Sequence, residues 1–290
     1  MDMKLIYGPT VYLMGKQQTV EHEVDRFLRD IGVSWSSDTE IASQELVEIY
    51  GRNCYQSYAT PRPGGNSKYI EHLLESKHGS CIEAAVWNMM ITGVSRSLTH
   101  ELIRHRHFSV AQLSQRYCRE DEAEYVVPPD LQDEVREAEL AFVKQNGKIV
   151  FGGGSHQFRV LLTDSARAGL DWMSSVHESH LNYISFVEHL TKKAAGKGLS
   201  GTDGRKFARQ AARSVLPNAT ETKIAITGNA RIFRHFIEMR ASTAADPEIR
   251  VLACKVWEVL SNEAPNLFGD YQKVSIPGGG YSLTTPYQKV

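Results

Sequence analysis

A chain of 290 residues with 41% hydrophobic and 23% charged residues has the make-up of an ordinary globular protein, long enough to bury a core without covalent staples. Its net charge of −1 excludes a global field that would draw in nucleic acid or anionic membrane, so anion binding must come from local clusters of basic residues. The first residues lack a signal peptide's long apolar run and no stretch approaches the ~20 apolar residues of a membrane span, so a cytoplasmic protein without membrane contact is expected.

Taken in order, residues 3–13 are rich in β-formers and broken by Gly8-Pro9, which predicts a strand and a turn. Residues 39–52 place Ala42, Leu46 and Ile49 at helical spacing behind Thr39 and Glu40. A Pro/Gly/Asn loop at 60–66 leads to a helix near 67–77, and the almost continuously apolar run 84–92 predicts a buried strand. From Ser95 to about His105 the pattern is helical, with Arg96, His100 and Arg104 on one face and Glu101 and His105 on the next. A charged amphipathic helix is expected at 130–146, a linker at 151–155, and one long helix or two at 165–192. Residues 193–204 read as a flexible connector, followed by a basic stripe at Arg205, Arg209 and Arg213. A half-buried strand at 222–227 turns at Asn229 into a helix whose face carries Phe233, Phe236, Ile237 and Arg240. The last helix, 247–263, opens on Asp246-Pro247, and the Gly-rich tail from 275 reads as a loose arm. The whole is expected to be a single domain with an insertion around 147–204.

The stretch Arg104 to Tyr117 gathers three arginines, two histidines, two serines and two glutamines with no Glu or Lys. Guanidinium forks suit phosphate and planar bases, by paired hydrogen bonds and by stacking. Arg96, Arg104, Arg106, Arg116, Arg213, Arg231 and Arg240 come from separated places and could meet only in the fold. Glu101, Gln112, Gln115 and Asn229 could read a heterocycle edge. Arg240, at the end of an apolar stripe, requires an anionic partner. Other chemistries fit less well. A serine nucleophile at Ser109 or Ser114 beside His105 or His107 lacks the Gly-x-Ser-x-Gly elbow. The two histidines make a poor metal site between arginines, and Cys54, Cys81, Cys118 and Cys254 lack zinc-site spacing, so no metal is expected.

Arg104-His105-Arg106, seven residues and then Ser114-Gln115-Arg116-Tyr117 resembles the signature of the flavin-dependent thymidylate synthase (ThyX) family. The likeness runs from about 45 to 270 and includes Gly51-Arg52 with Cys54-Tyr55-Gln56-Ser57, residues 99–109, 208–222 and 227–242. The resemblance implies an α+β fold, a mixed β-sheet packed against long helices, and a homotetramer with sites shared between subunits. It also implies FAD, with NADPH as reductant and methylenetetrahydrofolate as carbon donor to C5 of a uracil nucleotide, dUMP or UMP. On this likeness Ser80, Glu83, Arg104, His105, Arg106, Asn229, Arg231 and His235 hold FAD. Arg96, Glu101, Gln112, Ser114, Gln115, Arg116, Arg213 and Arg240 hold the nucleotide, and Arg240, Ser114 and Arg106 stand closest to the chemistry. Two departures stand out: Ala84 follows Glu83 where the family usually has histidine, and Ala244 stands where it usually has another. They raise the alternative of a specialised UMP methylase of nucleoside-antibiotic biosynthesis. A non-catalytic nucleotide- or RNA-binding relative is the alternative of another class.

Overall fold

The computed structural model describes residues 3–60, 62–146 and 162–290, so the linker expected at 151–155 lies outside the described residues. The chain divides into two compact units. The first comprises Met1–Gly8, Thr92–His100 and Gln112–Ile224, and the second Pro9–Ile91, Glu101–Ala111 and Ala225–Val290.

The elements in order begin with β1 (Lys4–Ile6) and β2 (Thr10–Lys16), parted by Gly8-Pro9 as expected. Helices α1 (Glu21–Asp30), α2 (Ala42–Tyr55), α3 (Gly65–Glu75) and the single turn α4 (Gly79–Ile82) follow. Then come β3 (Val86–Ser95), α5 (Arg96–Leu102), β4 (Ser109–Gln112) and β5 (Glu124–Val126). Helices α6 (Gln132–Asn146), α7 (Asp164–Gly196) and α8 (Gly201–Ala212) lead to β6 (Glu221–Asn229). The chain closes with α9 (Ala230–Arg240), α10 (Pro247–Glu263), α11 (Pro265–Phe268) and the strands β7 (Gln272–Ser275) and β8 (Tyr281–Thr284). The fold is mixed α and β, with a four-stranded sheet in the order β2-β3-β6-β4, a parallel β1-β5 pair and an antiparallel β7-β8 pair. No helix among the described residues is long and apolar enough to cross a membrane.

In the first unit Val127, Val135, Ala138, Leu170 and Met173 form a core to which Leu5 and Trp172 add. Close packing of α6 on α7 requires Gly169, because a Cβ there would stand 2.2 Å from the Glu134 carbonyl oxygen. In the second unit Trp87 of β3 meets Phe268 edge-on at 5.6 Å, and Phe108 meets Phe233 of α9 at 5.1 Å. Phe233, Phe236 and Ile237 are fully buried, as their helical spacing predicts. Arg52 of the Gly-Arg motif is also buried, paired with Glu48 at 2.8 Å and donating to the Ser57 and Thr60 carbonyls.

Four expectations need correction. Helix α1 was not anticipated, although Val24, Phe27 and Leu28 carry a short helical pattern. Helix α5 ends at Leu102, so Arg104 does not share a helix face with Arg96 and His100, nor His105 with Glu101. Arg104 and His105 instead sit in tight turns, their amides donating to the Glu101 and Leu102 carbonyls. Leu102 and Phe108 are both buried, and in a continuous helix they would face about 120° apart, so the chain must turn to bury both. The connector at 193–204 is mostly helical: α7 runs to Gly196 and α8 starts at Gly201. Gly198, at φ +72°, ends α7 in a left-handed turn, with the Leu199 amide donating to the Ala194 carbonyl and the Gly198 amide to Ala195. The tail is no loose arm. It folds as the β7-β8 hairpin, buries Leu283, and donates the Leu283 amide to the Ala241 carbonyl.

Candidate active site

In the second unit a cavity of about 630 Å³ is lined by Glu83, Asn229, Arg231 and His235, together with His107 and the tail residues Lys289 and Val290. Its position follows from local structure. Asn229 ends β6 and caps α9, its Oδ1 accepting the Ile232 amide at 3.0 Å, so Arg231 and His235 fall one turn apart on the new helix. Arg231 donates to Glu83 at 2.8 Å through Nη1 and to the Val290 carbonyl at 3.3 Å through Nε. The pair is exposed at both ends, so its charges are screened and open to exchange for another anion.

A second group lies at the other end of α9. Arg240 donates to Glu101 at 2.9 Å through Nη1 and to His105 Nε2 at 2.9 Å through Nε, giving it the anionic partner its position required. Because His105 Nε2 accepts from a guanidinium, its ring proton sits on Nδ1. Burial, then the charge of Arg240 and then His235, pushes the His105 pKa down to about 4, so the ring is neutral near pH 7. Its centroid lies 5.9 Å from that of His235 and 5.2 Å edge-on from Phe236, which connects the Arg240 group to the cavity-lining histidine. Ser80, Arg104 and Arg106 are exposed nearby in sequence and do not line this cavity.

The remaining expected residues fall in the first unit. Arg96 donates through Nη2 to the Leu113 carbonyl at 2.9 Å, and Gln112 Nε2 donates to Thr99 at 2.9 Å. Gln115 is buried and hydrogen-bonds Glu120. Ser114 Oγ accepts the Arg116 amide at 3.4 Å, and Arg116 reaches Gln210 at 3.5 Å. No histidine or carboxylate is hydrogen-bonded to Ser114 among the described residues, so nothing there would make it a nucleophile. Arg213 stands exposed at the end of α8 and acts electrostatically on Arg96. The basic stripe of α8 divides: Arg205 is exposed, whereas Arg209 is buried and donates to the Tyr117 carbonyl.

Several residues here were not anticipated. The sequence gives His107 no role beyond a poor metal ligand, and Lys289 and Val290 belong to the tail that reads as a loose arm. Glu120 and Glu221 are buried beside Arg96, yet in the sequence Glu120 sits within the charged run 119–124, which looks like a solvated loop.

The profile of the family described as "thymidylate synthase complementing protein" matches residues 38–266. The chain belongs to this family. A flavin-dependent thymidylate synthase of Mycolicibacterium gilvum is 42% identical over 256 residues, covering 88% of this chain and 89% of the relative. The enzyme of the same name from Mycobacterium avium is 42% identical over 262 residues, 90% of this chain and 92% of the relative. That from Corynebacterium diphtheriae is 38% identical over 264 residues, with the same two shares. Both residue groups described above lie inside the span that the thymidylate synthase complementing protein family matches, apart from Lys289 and Val290.

Proposed function

We propose that this chain is an FAD-dependent thymidylate synthase, acting in the cytoplasm as a homotetramer. It transfers a one-carbon unit from methylenetetrahydrofolate to C5 of dUMP, with NADPH as reductant. The observation that carries the reading is the gathering of Glu83, Asn229, Arg231 and His235 around one cavity, joined through His105 to the Glu101–Arg240 pair. The names of the relatives point the same way.

The cavity suits FAD by its donor set. Arg231, His107 and Lys289 are cationic or hydrogen-bonding groups for phosphate, and Asn229 and Glu83 offer acceptors for a ring or ribose edge. When bound, the flavin supplies the reducing equivalents, and the protein's part is orientation and electrostatics. Glu101 and the neutral His105 fix the Arg240 guanidinium from two sides, leaving donors for an anionic group. Arg96, Arg116 and Arg213 hold the nucleotide phosphate, with Gln112, Ser114 and Gln115 as hydrogen-bonding groups around it. Arg104, Arg106 and Ser80 complete the flavin contacts. A second reading, methylation of UMP, is favoured by Ala84, which puts a methyl group beside Glu83 in place of an imidazole, and by the exposed Ala244.

Tritium release from C5-labelled dUMP and UMP, side by side with FAD, NADPH and methylenetetrahydrofolate, tests both. Release from dUMP alone supports the thymidylate synthase, release from UMP as well supports the second reading, and release from neither refutes the enzyme.

A further inference from the structure

Glu120, in the loop between Ser114 and β5, is 5% exposed, and its Oε1 has no hydrogen-bond partner among the described residues. Arg96, its neighbour of opposite charge, has a buried Nε that likewise finds no partner there. A buried donor and a buried acceptor of opposite charge, both left open in one cluster, is an expensive arrangement. The two are not a closed salt bridge.

The surroundings explain why. Glu221 of β6 is 8% exposed and accepts the Gly93 amide at 2.9 Å, so a second carboxylate is fixed beside Arg96. Asp121 adds negative charge to Glu120, Gln115 hydrogen-bonds it, and Arg213 opposes the charge of Arg96. From α7, Tyr183 hydrogen-bonds the Glu120 backbone, and the buried Tyr125 of β5, whose hydroxyl bonds His180 at 2.6 Å, feels the charge of the carboxylate. A cavity of about 360 Å³ reaches this cluster, lined among others by Leu113, Arg119, Glu120, Glu221 and Lys223. Burial first, then Glu221 and Asp121 against the opposing pull of Arg96 and Gln115, pushes the Glu120 carboxyl up to about 7.

We propose that Glu120 is a positioning residue for Arg96, and that an anionic nucleotide binding at Arg96 is accompanied by uptake of one proton from solvent on Glu120. This rests on the reading of Arg96 as a nucleotide-binding residue. With Glu120 ionised, Arg96 already faces two carboxylates, and a phosphate arriving there meets their repulsion. Protonation leaves Glu221 as the single fixed counter-charge and turns Glu120 into a neutral donor. Glutamine at 120 imitates that state.

The test is isothermal titration of full-length, FAD-loaded enzyme with dUMP and with UMP at pH 8, in buffers of different ionisation enthalpy. At pH 8 the nucleotide phosphate, with its second pKa near ~6, is already a dianion and takes up no proton itself. The wild type is expected to take up about half a proton or more on binding, and Glu120→Gln none. In steady state, wild-type KM for the nucleotide should rise about tenfold between pH 6.5 and pH 8.5, one pKa unit of coupling. In Glu120→Gln the rise should be absent, the change falling on KM and not on kcat, and Glu120→Asp should restore it. Equal proton uptake and equal pH profiles in wild type and Glu120→Gln overturn the coupling. Should the glutamine variant not fold, binding without proton uptake by the wild type overturns it alone. Failure of the wild type to bind either nucleotide overturns the reading of Arg96 together with the coupling.

Discussion

Two arginines of α9 stand six positions apart in the sequence and do opposite work. Arg234 is 2% exposed and forks onto Asp270 at 2.7 and 2.8 Å, while also donating to the Leu267 and Tyr287 carbonyls. Both terminal nitrogens are engaged, the guanidinium lies over the Tyr271 ring at 4.9 Å, and the pair ties α9 to the segment after α11 and to the tail. Arg240 is half-exposed, holds one half-exposed carboxylate, and leans on a neutral histidine. Arg234 spends both terminal nitrogens on the protein, though its buried Nε finds no partner among the described residues, whereas Arg240 is aimed by two partners and keeps donors in reserve. The contrast is one of burial and of how the terminal nitrogens are used, not of residue type.

The comparison breaks first, if it breaks, on stability. Arg234→Ala leaves Asp270 buried without its partner and should cost about 3–5 kcal/mol of folding free energy, read as a fall in the denaturation midpoint. Arg240→Ala should cost under ~1 kcal/mol, because its partner is accessible to water, while lowering kcat/KM about 100-fold or more. Equal stability losses in the two variants would refute the distinction.

His105 sharpens the comparison through pH. Its folded-state pKa of about 4 lies below the ordinary histidine value, so the unfolded chain takes up the proton first. Stability is therefore unaffected by this group above about pH 6.5 and declines as pH falls from there toward 4. His105→Gln should flatten that slope in melting temperatures measured from pH 7.5 to 4.5, and an unchanged slope would remove His105 as its source. The smallest effect is expected at Ser114. Without a base beside it, Ser114→Ala should lower kcat by less than about tenfold, whereas loss of a covalent nucleophile costs on the order of 10⁴-fold or more.

Helix α10 was legible to the residue, because Asp246 accepts the Glu248 amide at 2.9 Å and Pro247 occupies the first turn as their order predicts. Asn229 was legible as a turn into α9 for the same reason, since capping is local chemistry. The boundaries that misled were those where burial of distant residues decides. Leu102 and Phe108 break the helical pattern of 95–105, and the tail, Gly-rich and polar, is held by Arg234 and Glu238 rather than by its own composition. Glu120 was hidden because a charged run reads as solvated until other segments, here α5, β6 and α7, close around it.

The sequence by itself determined the family, through ordered motifs that cover most of the chain. It also determined the elements whose signals lie within one turn of themselves, such as caps, apolar periods and proline starts. The tertiary structure decided which charges are spent on the scaffold and which are left available. It buried Arg52, Arg209 and Arg234 as ties, held Arg240 against a neutral His105, and pressed Glu120 beside Arg96 with an oxygen left over. Desolvation and the proximity of charges set those outcomes, and both depend on segments far apart in the chain.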